Sequence, residues 1–244
     1  MDRRAAENAQ PAVIKLGGRL IPYRFERRRR RTLGITVDVE GLSVAAPMRA
    51  SWRDIESFLH DRERWILSKL DQWSRLPRAP VVRVTTGESL PLFGRPLYLD
   101  VRESAGRAVR HHHDRLVISA PGQRRALDTL VGWLKSKALE ALVPRTEHFA
   151  GALGVAAPSV GLSSARNQWG VCMEGGHIRL NWRLVHLHPS LTDYVVAHEV
   201  AHLLEMNHSK RFWHLLAALY PEWRQARERL EVAGAALPII GGSR

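Results

Sequence analysis

Tyr194-Val-Val-Ala-His198-Glu199-Val-Ala-His202-Leu-Leu-Glu-Met-Asn-His208 places two histidines four residues apart, a glutamate after the first, and a third histidine six positions on. On a helix, positions i and i+4 share a face, so His198 and His202 can present their imidazoles to one cation. Glu199, beside the first of them, is placed to take a proton from a water held there. A zinc ion with three protein ligands keeps a fourth position for water and lowers its pKa to about 7. The pattern is that of an open catalytic site, not a closed structural one. Twelve histidines make a chance occurrence conceivable. The context argues against it, because Tyr194, Val195, Val196, Val200, Ala201, Leu203 and Leu204 surround the motif. Histidine and glutamate in so apolar a helix cost free energy unless something neutralises them.

The third ligand is less constrained. A helix continued through Asn207 would carry His208 away from the cation, so the chain must turn first. Asn207 suits a left-handed helix exit, and Ser209 suits the cap of a following helix. His208 is the preferred third ligand on this reading. Glu205, Glu222 and Glu228 are the competitors, since many zinc peptidases use a downstream glutamate.

The 244 residues suffice for one large domain or two small ones, and a hydrophobic fraction of 45% suits a packed globular protein. A single cysteine, Cys172, excludes an internal disulfide and fits a reducing compartment. The N-terminal residues carry positive charge without a following apolar run, so no signal peptide is expected. No apolar stretch reaches membrane-spanning length, and the expectation is a soluble cytoplasmic protein. The net charge of +13 includes the run Arg27 to Arg31 and offers non-specific contact to nucleic acid. The bland alternative is a solvated strand end or hairpin.

Residues 12–47 alternate in short strands, interrupted at Gly17-Gly18 and Glu40-Gly41. Ser51 caps a helix bearing Ile55, Phe58, Leu59, Trp65, Ile66, Leu70 and Trp73 at helical spacing, the tryptophans serving as packing residues. The loop Leu76-Pro-Arg-Ala-Pro ends it. Strands follow at Val81–Thr85, Ser89–Phe93, Leu97–Val101 and Leu116–Ser119, with His111-His112-His113 in an exposed loop. A second long helix starts at Gln123 and should be kinked or divided by Pro144. Ser159–Ala165 reads as a strand, Gly175-Gly176 as a turn, and His177–Trp182 as the return strand. Ser190 and Asp193 form a start signal for the motif helix. Phe212 to Leu219 gives another helix, and Pro221 and Gly234 bracket the last. The fold class is α+β: a β-rich region with one long helix over 1–120, then a helical catalytic part over 121–244.

Four blocks in order resemble one family. Trp169-Gly-Val-Cys172, Ile178-Arg-Leu-Asn181-Trp-Arg-Leu184, the motif from Asp193, and Asn207-His-Ser-Lys-Arg-Phe-Trp213 look like the YgjP-like metallopeptidases, relatives of the SprT-like proteases. The similarity extends upstream to Gly87-Glu-Ser-Leu90, Leu92-Phe-Gly94 and the Trp65 helix. It implies a zincin-like fold and a peptidase acting on protein or peptide, with one zinc per chain. His198, His202 and His208 would be its ligands and Glu199 its base. Two departures are visible: the family usually has Arg-Trp-Gly-Ser-Cys where this chain has Gln168-Trp169-Gly170-Val171-Cys172, without the arginine and the serine.

Trp169, Asn181 and Tyr194 are candidate substrate contacts, and Tyr194 and Arg183 candidate oxyanion donors. A core role for Tyr194 is the simpler reading. The strand at His177–Trp182 could lay an extended peptide along its edge. Two contrary functions stay open: a basic nucleic-acid-binding protein with a structural or relic zinc site, and a protease acting on DNA-bound protein.

Overall fold

Alternating apolar residues build the first sheet. The computed structural model describes residues 10–38, 40–75, 79–165 and 168–241. Strands β1 (Gln10–Leu16), β2 (Arg19–Arg28), β3 (Gly34–Asp38) and β4 (Gly41–Pro47) form one sheet in the order β1-β2-β4-β3. Ile14, Leu16, Ile21, Tyr23, Phe25, Leu42 and Val44 are buried, while Val13, Leu20, Pro22 and Arg24 between them are exposed. Gly17 and Gly18 join β1 to β2 with φ of 52° and 79°, as a two-residue hairpin with both centres left-handed requires.

Helices α1 (Trp52–His60) and α2 (Glu63–Ser74) close this core with Ile55, Leu59 and Ile66. Ser51 caps α1: its hydroxyl accepts from the Asp54 N–H, and Asp54 bonds back to the Ser51 N–H. The single helix expected here is in fact two, since Arg62 leaves helical geometry at φ −112°, ψ 13°. Trp65 is 46% exposed and so is a surface residue, whereas Trp73 packs against the core. The loop at Leu76–Arg78 lies outside the described residues.

One compact unit runs through Arg78 and a second starts at Ala79, so the strands before residue 120 and the helix after it fall in the same unit. The reason is a shared core. Leu97, Leu99, Leu116 and Ile118 are buried together with Ala126, Leu130 and Leu134 from beyond that point. In the second unit β5 (Val81–Val82) precedes β6 (Ser89–Leu92), β7 (Arg95–Glu103), β8 (Ala108–His112) and β9 (Arg115–Ala120). The last four form a sheet ordered β6-β7-β9-β8. His111 and His112 belong to β8, and only His113, at φ 54°, lies in the turn.

Helix α3 (Gln123–Ala152) is continuous, and Pro144 does not divide it. Strands β10 (Val160–Ser163), β11 (Gly170–Cys172) and β12 (Ile178–Asn181) follow, ordered β10-β12-β11. The expected hairpin partner of β12 is corrected: β10 runs parallel to it, and β11 is the antiparallel mate across Gly175-Gly176. A 3₁₀ turn, Trp182–His186, leads to α4 (Pro189–Ala201), α5 (Lys210–Leu219) and α6 (Trp223–Ala235). A short β13 (Ile239–Ile240) returns to pair with β5. The fold is mixed α+β, with strands in both units. Among the described residues no helix is long and apolar enough to cross a membrane.

Candidate active site

Helix α4 is buried on nearly every side. Leu191, Tyr194, Val195, Val196, Ala197, Val200 and Ala201 all contribute to the core. A helix apolar all round must be interior, and each buried leucine or valine of this kind stabilises the fold by about 1.5–3 kcal/mol. Its start is set by His188, whose Nδ1 accepts from the Ser190 N–H, with Pro189 at the first turn. The Ser190–Asp193 start signal is therefore not what caps it. Asp193 instead accepts from Arg145 Nε at 2.7 Å, tying α4 to α3. The preceding 3₁₀ turn is clasped from β6, where the Phe93 N–H donates to Val185 O at 2.7 Å and His186 Nδ1 donates to Pro91 O at 2.7 Å.

His198, His202 and His208 offer ring nitrogens that all lie within 4.8 Å of one another. His198 Nε2 and His208 Nε2 are 3.0 Å apart. His202 donates its Nδ1–H to Glu205 O at 3.0 Å, which leaves the Nε2 lone pair for a cation. The helix ends sooner than expected. His202 is itself the C-cap of α4, and Asn207 is not among the non-glycine residues with positive φ. The chain then turns back, and Ser209 caps α5 by accepting from the Phe212 N–H. His208 is held there by Trp213, whose indole stacks on it at 5.6 Å and whose Nε1–H donates to His208 O at 3.1 Å. Trp223 of α6 stacks on Trp213 in turn, at 4.4 Å. Glu205, Glu222 and Glu228 do not join the histidine cluster.

These residues fit a metal. Imidazole nitrogens are good zinc ligands. Two of them facing each other at 3.0 Å need a proton or a cation between them. Protonation is disfavoured: burial, then the charges of His202, His208 and Arg227, push His198 down to about 3. His208 is also lowered, by burial first and then by His202 and Arg227.

Glu199 leaves α4 toward β11 and is 7% exposed. Burial pushes its carboxyl up to about 7, against a backbone hydrogen bond from Cys172 that favours the charged form. Gly170 makes the space. A Cβ there would fall 2.5 Å from Glu199 Cγ. Asn181 N–H donates to Trp169 O, and Met173 N–H donates to His177 O. Strand alternation thus turns the odd-numbered groups of β11 toward β12 and those of Gly170 and Cys172 toward the open edge. The β12 strand is paired on both sides, so it cannot be the free edge expected of it; β11 is.

The other candidates are dispersed. Asn181 is buried, donating Nδ2 to Ala165 O and Gln168 O while Oδ1 accepts from the Arg183 N–H. It ties Ala165 and Gln168 to the end of β12. Trp169 is half-buried and packs on Gly234 of α6, where a Cβ would lie 2.7 Å from its ring. Gly234 is thus inside the last helix, not beyond it. Tyr194 is 5% exposed, with its ring 6.2 Å from that of His198. Arg183 lies over the Trp182 ring at 4.8 Å and reaches Ser164 O at 3.4 Å. Arg227 was not readable as a site residue from sequence. It is exposed on α6, and its charge adds to the burial that lowers the pKa of His198 and His208, while it opposes the rise that burial gives Tyr194. Its helical stripe holds Trp223 and Gly234, which bracket the site.

The sequence profile of the YgjP-like, metallopeptidase domain matches residues 31–233. The chain belongs to the YgjP-like metallopeptidase family. No curated protein matches it. Among solved structures it is similar to the metallopeptidase zymogen of Pyrococcus abyssi abylysin, at 22% identity and a TM-score of 0.37, over 40% of this chain and 99% of that one. The YgjP-like chain is a metallopeptidase by family, which implies a metal ion and a protein or peptide substrate.

Proposed function

We propose that the chain hydrolyses peptide bonds with zinc held by His198, His202 and His208 and with Glu199 as general base. The observation that carries this reading is the cluster of three histidine nitrogens within 4.8 Å, one helix position from a buried glutamate. Zinc in such a site supplies Lewis acidity, polarising a carbonyl and making water acidic near neutral pH.

The protein's own groups do the rest. Glu199 receives the proton of the attacking water and passes it to the leaving amine. Gly170 and Cys172 offer the edge of β11 to an extended substrate, with Trp169 at its end. Arg227 of α6, whose charge acts on His198 and His208, is the candidate to stabilise the oxyanion. A single thiol and no disulfide suit a cytoplasmic setting.

Elemental analysis tests the ligand set. Wild type and Glu199→Gln should each hold one zinc per chain, and His208→Ala should hold far less. Full zinc retention by His208→Ala would remove His208 from the ligand set.

A further inference from the structure

The sheet β6-β7-β9-β8 has two unlike faces. Leu97, Leu99, Leu116, Ile118 and Ala120 point into the core. The alternate residues of β7, β9 and β8 face outward in three rows set by register: Arg102, Ser119 and Ala108; Asp100, Val117 and Arg110; Tyr98, Arg115 and His112. Asp100 is the sole carboxylate in these rows, and Arg102 already neutralises it at 2.6 Å. Arg110 and Arg115 are exposed and form no ion pair or hydrogen bond among the described residues. Tyr98 is 45% exposed beside Arg115. Between Arg102 and Arg110 lies a cavity of about 140 Å³, floored by Ala108, Val117 and Ser119.

We propose that this open face binds single-stranded nucleic acid, with a phosphate seated between Arg102 and Arg110 and a base stacked on Tyr98. Small residues at 108 and 119 let an anion approach Arg110 and Nη1 of Arg102, the nitrogen that Asp100 does not engage, and the Ser119 hydroxyl can donate to it. An exposed ring next to an exposed arginine is the combination that holds a single strand without reading its sequence. A net charge of +13 favours the encounter. A merely solubilising charged face would need neither the cavity nor the exposed ring. The site shares no residue with the histidine cluster, so it stands apart from the peptidase reading.

The test is fluorescence anisotropy of a labelled single strand of about 12 nucleotides, a length typical of one such site, titrated at several salt concentrations. Wild type and Glu199→Gln should bind alike. Arg110→Ala/Arg115→Ala should weaken binding at least tenfold and cut the salt slope by about two contacts. Tyr98→Ala should weaken it severalfold at unchanged slope. Three results would overturn the proposal: no binding by wild type, an equal loss from Arg29→Ala/Arg31→Ala in the other unit, or displacement of the strand by millimolar inorganic phosphate, which would mark a small-anion site.

Discussion

A Cβ on Gly170 would lie 2.7 Å from Oε1 of Glu199, and no real Cβ comes so close. Strand β11 and the base therefore fit only with glycine at this position. Gly170→Ala is expected to push Glu199 off its line while leaving the histidines alone. A displacement approaching 1 Å can cost about a hundredfold in rate. Peptidase kcat should fall by that order with zinc content unchanged, and loss of zinc in this variant would contradict the account.

Trp213 holds the residue that the helix does not. His208 lies beyond the end of α4, and its position rests on the stacked indole and the Nε1–H bond to its carbonyl. Outer contacts of this kind are worth about 10–100-fold in metal affinity. Trp213→Ala should weaken zinc by that factor in a chelator competition, and Trp213→Phe, which keeps a ring but no donor, should fall between. Unchanged affinity in both would deny Trp213 this role.

Stability of the metal-free protein should depend on pH through Glu199. Its folded pKa, about 7, stands above the 4.5 of an unperturbed carboxyl. The folded chain then binds the proton more tightly than the unfolded chain. The stability this contributes is present below pH 4.5 and lost as pH rises through 7. The full difference is about 3 kcal/mol. Metal-free Glu199→Gln should thus match wild type at pH 4 and exceed it at pH 8 in urea unfolding. Zinc should shrink the gap, because a nearby cation favours the charged carboxylate.

Arg227 should matter to rate more than to binding. Loss of one oxyanion-stabilising group costs about 10²–10³-fold in kcat. Arg227→Ala should show that loss with little change in KM or zinc content, and Arg227→Lys should recover part of it. A change in KM alone, confined to substrates with a free C-terminal carboxylate, would make Arg227 an anchor for that carboxylate.

Much of this site was legible because it is local. Helical spacing places His198 and His202 together, and Ser209 caps the next helix from the position its sequence suggests. The exit of α4 was misread at Asn207 because Leu203 and Leu204 continue the apolar period, while the actual stop depends on His202 bonding Glu205 O. The mate of β12 was misread because β11 has only three residues, too few to show a period. Relations between distant segments left no local signal: Gly170 against Glu199, Gly234 against Trp169, and the charge of Arg227 acting on the histidines. The boundary at Arg78 was hidden for a related reason. The strands on either side of it have similar composition, and only the core shared with α3 tells them apart.

The central claim is tested most directly by the cleavage rate of an unfolded protein substrate, compared between zinc-loaded wild type and Glu199→Gln at matched zinc content. The account predicts cleavage by wild type and a loss of about 10²–10⁴-fold in Glu199→Gln, the range expected for removal of a general base. Equal rates in the two proteins would contradict it.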